Sequence, residues 1–244
     1  MNGGQVQWLL GYPEQGLRIG REALALAERI GHPLSLEAVL LYIATLHLDC
    51  GEPEVALELV GAAEALAAEQ RLAFVLEPRF MRGAGLSAQG AFEEAVACLR
   101  EGLAGQLGAM YTRPYGLTLL AEALARQGKH RAAFAAAMKG LLDQEKTGCR
   151  RWSAELRRLQ GIALLGLNRR EEGQSVLEEA LRIARRQKAK SYELRAATSL
   201  ARLWGEQGRR VEARELLAPV YGWFAEGFDT ADLKEAKGLL DELM

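Results

Sequence analysis

Apolar residues recur at helical spacing along nearly the whole chain. Leu86, Leu124, Leu164 and Trp204 belong to one set of segments, and Leu99, Leu177 and Leu217 to a second set that alternates with it. Short breaks interrupt this pattern at Gly11, Gly51, Gly90, Gly128, Asn168 and Gly208, at spacings of 40, 39, 38, 40 and 40 residues. Two apolar-periodic segments per period predict stacked helical hairpins. The register predicts a helix over about 12–30 and hairpins near 34–70, 75–107, 114–146, 152–187 and 191–225. A closing helix is expected over about 229–243, where Asp229 offers an N-cap and Leu233, Ala236, Leu240 and Leu243 share a face. The units are then a partial repeat over 1–31, hairpins over about 33–71, 73–109, 112–148, 150–188 and 190–226, and a capping helix over about 229–243, in one solenoid spanning 1–244.

Small residues keep the same register. Five positions after each break stand Gly16, Ala56, Ala95, Ala133, Gly173 and Ala213; seven further on stand Ala23, Ala63, Gly102, Gly140, Ala180 and the one bulky exception, Val220. Seven positions before each break, from the second onward, stand Ala44, Gly83, Ala121, Gly161 and Ala201. Antiparallel helices joined by a tight turn can interdigitate only where the side chains at their crossing are small. This spacing resembles the tetratricopeptide repeat, which implies an all-α, right-handed α-α superhelix of about five helical hairpins plus a partial N-terminal repeat and a C-terminal capping helix. Each unit is about five residues longer than the family's usual 34 and lacks its terminal proline, which implies longer helices, as in the sensor regions of signal-transduction ATPases.

The segment from Arg195 to Trp204, with that from Leu216 to Leu233, resembles the C-terminal end of large bacterial regulators, which join a nucleotide cyclase or winged-helix module to an ATPase and a tetratricopeptide array. The resemblance implies a sensor or interaction region of such a protein. Only Met1 to Leu10 precedes the first break, too short for a full helical partner, so Leu17, Leu24 and Leu26 are expected to lack a stacking neighbour and to offer a face for a homodimer.

Composition narrows the function further. The formal charge is −1, from 31 basic and 32 acidic residues, so no long-range excess attracts nucleic acid or anionic membrane. Residues 150–218 do hold 16 Lys and Arg against 9 Asp and Glu, among them Arg157, Arg158, Arg185, Arg186, Lys188 and Lys190; nucleic-acid binding there is the weakest of the readings. No apolar run reaches the roughly 18 residues of a membrane span and no signal segment opens the chain, so no membrane partner is expected. Cys50, Cys98 and Cys149 are far apart and fit a reduced, cytoplasmic setting.

No phosphate-cradling glycine loop, HExxH, EF-hand or nucleophile elbow occurs, and His32, His47 and His130 share no ligand spacing. The chain is therefore expected to be no enzyme, with no metal and no cofactor. In the family it resembles, ligands lie in a concave groove lined by first helices. That resemblance points to Glu77 and Phe80, then Tyr115, Thr118 and Glu122, then Glu155 and Arg158, then Arg195, Thr198 and Arg202. Such a lining suits a protein or peptide segment carrying both charge signs, anchored at Phe80 and Tyr115 and forked by the arginines. The alternative is a small-molecule inducer sensor, which a deep pocket near Tyr115, Glu122 and Arg158 would favour. Trp152, Trp204, Trp223 and Tyr221 fit gap-filling between repeats better than a ligand cage.

Overall fold

The computed structural model describes residues 3–73, 77–105 and 112–244, and the hairpin boundaries expected at 73–75 and 107–109 fall partly on residues outside these. Six hairpins follow one another. They are α1 (Gly3–Leu9) with α2 (Pro13–Ile30), α3 (Pro33–Cys50) with α4 (Pro53–Gln70), α5 (Pro78–Ala88) with α6 (Phe92–Gly105), α7 (Arg113–Arg126) with α8 (His130–Thr147), α9 (Ser153–Gly166) with α10 (Arg170–Gln187), and α11 (Lys190–Glu206) with α12 (Arg210–Tyr221). A last helix, α13 (Ala231–Glu242), packs on α11 and α12, and no strand occurs among the described residues. The fold is an α-α superhelix.

Local chemistry sets the helix limits. Five of the six prolines, Pro13, Pro33, Pro53, Pro78 and Pro114, open helices, where a missing N–H leaves no intrahelical bond unmade. The turn inside each hairpin needs one residue in the left-handed region. Glycine supplies it at every break except Asn168 (φ 61°), and Asn is among the few L residues that tolerate that conformation.

At each crossing the paired small residues meet. A Cβ on Gly4 would lie 2.8 Å from the Gly16 carbonyl oxygen, and one on Gly16 would lie 2.7 Å from that of Gly4. Ala44, Ala56, Ala95, Ala121, Ala133, Ala201 and Ala213 are fully buried at the equivalent places. The first repeat is thus shortened, since α1 has 7 residues, yet it keeps the complete crossing.

The first helices of successive repeats pack side by side, α1 on α3, α3 on α5, α5 on α7, α7 on α9 and α9 on α11, and α11 returns to α1. They form a closed inner ring, with the second helices outside. The chain's end makes the closure possible. Pro219 sits inside α12 without an N–H to donate, and this helix runs for 12 residues where α2, α4, α8 and α10 each run for 18. The stretch after it turns back onto the N-terminal hairpin. There Gln15 donates from its backbone N (3.1 Å) and its Nε2 (3.2 Å) to the Glu226 carboxylate, and the Gly227 backbone N donates to Glu14 (2.9 Å). Trp8, 2% exposed, stands edge-on to Tyr192 with ring centroids 5.7 Å apart, and Ser191 donates to the Trp8 carbonyl.

Among the described residues α3 alone is long and apolar enough to cross a membrane by composition (mean hydropathy 1.3). Its apolar character has a source within the fold, because it packs on α1, α2, α4 and α5 and buries Leu40, Leu41, Ile43 and Leu46.

The crossing geometry separates two glycine substitutions. Gly16→Val puts a branched side chain against backbone and is expected to cost about 1–3 kcal/mol and to unseat α1, exposing Trp8. Gly61→Ala, mid-helix in α4 with nothing within 4 Å of the added methyl, is expected to gain about 0.5–1 kcal/mol. Urea unfolding and the Trp emission maximum read both; equal effects from the two variants would refute the role given to the crossing.

Candidate functional site

The ring encloses a cavity of about 490 Å³. Of the residues the sequence placed in a groove, Tyr115, Thr118, Glu122, Glu155, Arg158, Arg195 and Thr198 line it. Three do not. Phe80 is 1% exposed in the core, because Gly102 and Gly116 open a slot for its ring: a Cβ on Gly116 would lie 2.4 Å from it. Phe80 therefore buttresses Tyr115 edge-on from behind, at 6.3 Å between centroids, and is no ligand anchor. Glu77 caps the start of α5, accepting from the Arg79 backbone N at 3.3 Å. Arg202 lies one turn beyond Thr198, half-exposed, where it pairs with Glu235 at 2.7 Å.

The lining also includes Asp49, Trp152, Tyr192 and Asp232, which the register count misses. Trp152 and Tyr192 stand three residues before Glu155 and Arg195, each one helical turn from a position the count selects, while Asp49 lies on α3, from which the count names no residue. Asp232 is brought in by α13. Tyr115 stacks obliquely on Trp152 (5.8 Å) and its hydroxyl bonds with Thr45 of α3, while Arg195 lies over the Trp8 ring at 5.0 Å. Aromatic groups thus line the cavity one helical turn from charged ones, at the starts of α9 and α11.

A network of charged groups centres on Glu155. Arg158 grips it with both ends of its guanidinium, at 2.6 and 2.9 Å, and Arg195 reaches it at 3.4 Å while donating to Asp232 at 2.7 Å. Burial alone would raise the Glu155 carboxyl, but Arg158 and then Arg195 outweigh it and hold it down at about 2. Removing one member of such a buried pair costs about 3–5 kcal/mol. Asp49 differs in having no ion pair. Burial pushes its carboxyl from 3.8 up to about 7; Arg195 and Arg151 oppose the rise, while Asp232 and Glu155 add to it. Burial also pushes the Tyr115 and Tyr192 hydroxyls upward, so both stay protonated donors.

Other candidate groups have structural work. His32 caps α3, accepting from the Ser35 backbone N; His47 pairs with Glu52; His130 packs on Gly166. Burial raises the Cys50 thiol, which disfavours thiolate chemistry. No group of three or more His, Cys, Asp or Glu among the described residues is placed to hold a metal ion. Trp204 lies under Arg209 at 4.5 Å, and Trp223 packs on Tyr12 at the seam, so Trp152 is the tryptophan of the four-aromatic set that reaches the cavity.

The two carboxyls give stability opposite pH slopes. The Asp49 contribution is full below 3.8 and is lost as pH rises through about 7, whereas that of Glu155 is full above 4.5 and is lost as pH falls through about 2. Wild type is therefore expected to lose stability between pH 5 and pH 7.5 relative to Asp49→Asn, whose profile should be flatter there. Urea midpoints across that range for both proteins check it; parallel profiles would show that Asp49 titrates as an ordinary carboxylate.

No protein-family model matches the sequence, and no curated protein matches it. Solved structures do. The nearly identical TPR-like repeats of a putative kinesin light chain from Podosopora anserina share 23% identity over 78% of this chain and 95% of theirs, with a TM-score of 0.53. The apo form of RapI shares 10% over 98% and 68% (TM-score 0.60), and a Rap protein complexed with Competence and Sporulation Factor shares 12% over 99% and 71% (TM-score 0.66). At these identities the likeness is one of fold, and it places the chain among the TPR-like α-α superhelices.

Proposed function

We propose that the chain is a non-catalytic interaction module whose central cavity holds a short segment of a partner protein. The observation that carries this reading is the cavity itself, which is lined by the aromatic Tyr115, Trp152 and Tyr192 and by the charged Glu155, Arg158, Arg195 and Asp232. About 490 Å³ suits a few residues of an extended segment and excludes a long helix. The likeness in fold to a Rap protein complexed with Competence and Sporulation Factor supports a ligand-holding role for this architecture. In this reading the chain is the sensor region of a bacterial signalling regulator working in the cytoplasm, and occupancy of the cavity changes what the ring presents to neighbouring modules.

The enclosure also favours a second reading, a small-molecule inducer sensor, because Tyr115, Glu122 and Arg158 meet in one deep cavity. Nucleic-acid binding is disfavoured. Within 150–218 Arg157, Arg158, Arg169, Arg185, Lys190, Arg195, Arg202 and Arg209 each pair with a carboxylate, so half of the sixteen basic side chains there are already engaged within the fold. The proposal includes no homodimer through the first repeat: Leu17 and Leu24 pack on the core, α1 rests on α11 of the same chain, and Leu26 alone of the three is well exposed (48%).

Ala88→Trp tests the reading, because Ala88 is exposed at the end of α5 yet lines the cavity, so an indole there narrows it without disturbing the core. Its stability should stay within about 0.5 kcal/mol of wild type. Random-peptide display and a thermal-shift screen of metabolites are run on both proteins. Short peptides enriched by wild type and lost by the variant are the expected result. Metabolites alone showing that pattern would establish the second reading, and no ligand sensitive to the substitution would end both.

A further inference from the structure

The cavity is lined by five carboxylates and three guanidiniums, and all three guanidiniums are already engaged. Arg126 pairs with Glu122 at 2.8 Å, Arg158 with Glu155, and Arg195 with Asp232 and Glu155. Glu235 is taken by Arg202. Arg151, a cation whose field reaches Asp49, donates to Gln5 at 3.1 Å and lies over the Trp152 ring at 5.3 Å. Asp49, at the end of α3 and partly exposed, is the carboxylate of the lining left without an ion pair. A partly desolvated carboxylate with no cation beside it is an open negative position that a ligand's cation can fill.

A second, independent observation points the same way. Other Ser and Thr hydroxyls in these first helices have partners: Thr45, Thr118 and Ser199 donate to the carbonyl four residues back, Ser191 to the Trp8 carbonyl and Ser153 to Gln144. Ser87 and Thr198, 6% and 5% exposed, do not, and both line the cavity with hydroxyl oxygens that have no hydrogen-bond partner. They stand on α5 and α11, two different helices of the ring. Unpartnered hydroxyls on two helices of one chamber gain a bond when a side-chain rotation turns them toward a polar guest.

We propose that the cavity recognises a protonated amine or guanidinium, which pairs with Asp49 while the ligand's polar atoms bond to the Ser87 and Thr198 hydroxyls. This rests on the reading of the cavity as a ligand site and names the chemistry that site selects. The cation supplies the missing ion-pair partner through a charge-assisted bond, which is stronger than one between neutral groups. A ligand presenting a carboxylate there would meet Asp49, Glu155 and Asp232 and be rejected.

The test uses the full chain and three probes at pH 8: N-acetylarginyl-leucinamide, its citrulline counterpart, in which a neutral urea replaces the guanidinium, and agmatine. Calorimetric titration of wild type should favour the arginine peptide over the citrulline peptide by about tenfold to a hundredfold. Asp49→Asn should bind the two peptides alike, and Ser87→Ala/Thr198→Val should weaken both. Asp49→Asn leaves one polar group in place of another, and a cooperative urea transition with a midpoint no lower than that of wild type at pH 8 confirms that it is folded. Agmatine binding with the same dependence on Asp49 assigns the cation to a free amine as well as to a peptide side chain. Peptide binding that is blocked by Ala88→Trp but indifferent to charge overturns the cation assignment and leaves the ligand cavity standing. No binding of any probe to wild type overturns the cation assignment, and the display screen then judges the cavity on its own.

Discussion

The close approach of the two helices in each hairpin is the constraint on which the rest of the structure depends. Where Gly4 meets Gly16, or Gly161 meets Gly173, backbone lies against backbone, and no side chain could be interposed without opening the pair. Because the crossing recurs at a fixed place in every repeat, each hairpin leans on the next in the same way, and the lean accumulates into curvature. Six repeats of that curvature bring α11 back to α1. A bulkier crossing in one repeat would shift the last helix relative to the first, and the contacts of the seam, being hydrogen bonds and ring edges, do not stretch to follow.

Closure changes what the concave face is. An open superhelix offers a groove along which a long segment can lie. A closed one offers a chamber whose floor and rim are set by helix ends, here Asp49 at the end of α3 and Asp232 near the start of α13. Arg195 joins the two functions, since its guanidinium is stacked on Trp8 of the seam while it bonds to Asp232 and Glu155 of the cavity. Ring closure and cavity electrostatics are therefore coupled through one side chain. The physical warrant for a change of shape on ligand binding is this shared residue, and no path through the core is needed.

The sequence carried the fold in its periodicity. Breaks and small residues at constant offsets are local signals, and they are enough to select Tyr115, Thr118, Glu122, Glu155, Arg158, Arg195 and Thr198, all of which line the cavity. It did not carry the turns between repeats. Two of them use Arg71 and Lys188 in the left-handed region, where composition gives no sign of a turn, although with Gly31 and Gly148 they keep a spacing of 40 residues. Gly4, seven before the first break, completes the crossing column but sits in a segment that looks too short to be a helix. The seam was illegible for a different reason: its partners are 183 to 213 residues apart, and pairings such as Ser191 with Trp8 or Gln15 with Glu226 follow only from the summed curvature of six repeats. Phe80 illustrates the converse error. Register places it in the groove, and the absence of a Cβ at Gly116 withdraws it into the core.

A chamber of this kind is a poor way to stabilise a fold. Glu155, Arg158, Arg195 and Asp232 give up hydration that their mutual attraction only partly restores, and well-packed apolar side chains of equal volume would do at least as well. The repeat has no need of them, since its stacking is already secured by Leu41, Leu99, Leu156, Leu177 and Leu217, all buried away from the cavity. What a charged chamber provides that an apolar one cannot is discrimination between ligands of similar shape, because a mismatched charge inside it is left without water and without a partner. The arrangement is accordingly selective in sign. Guanidiniums tied to carboxylates present no open positive site, whereas Asp49 retains an open negative one, and in the proposed reading it is at that position that the cavity distinguishes ligands.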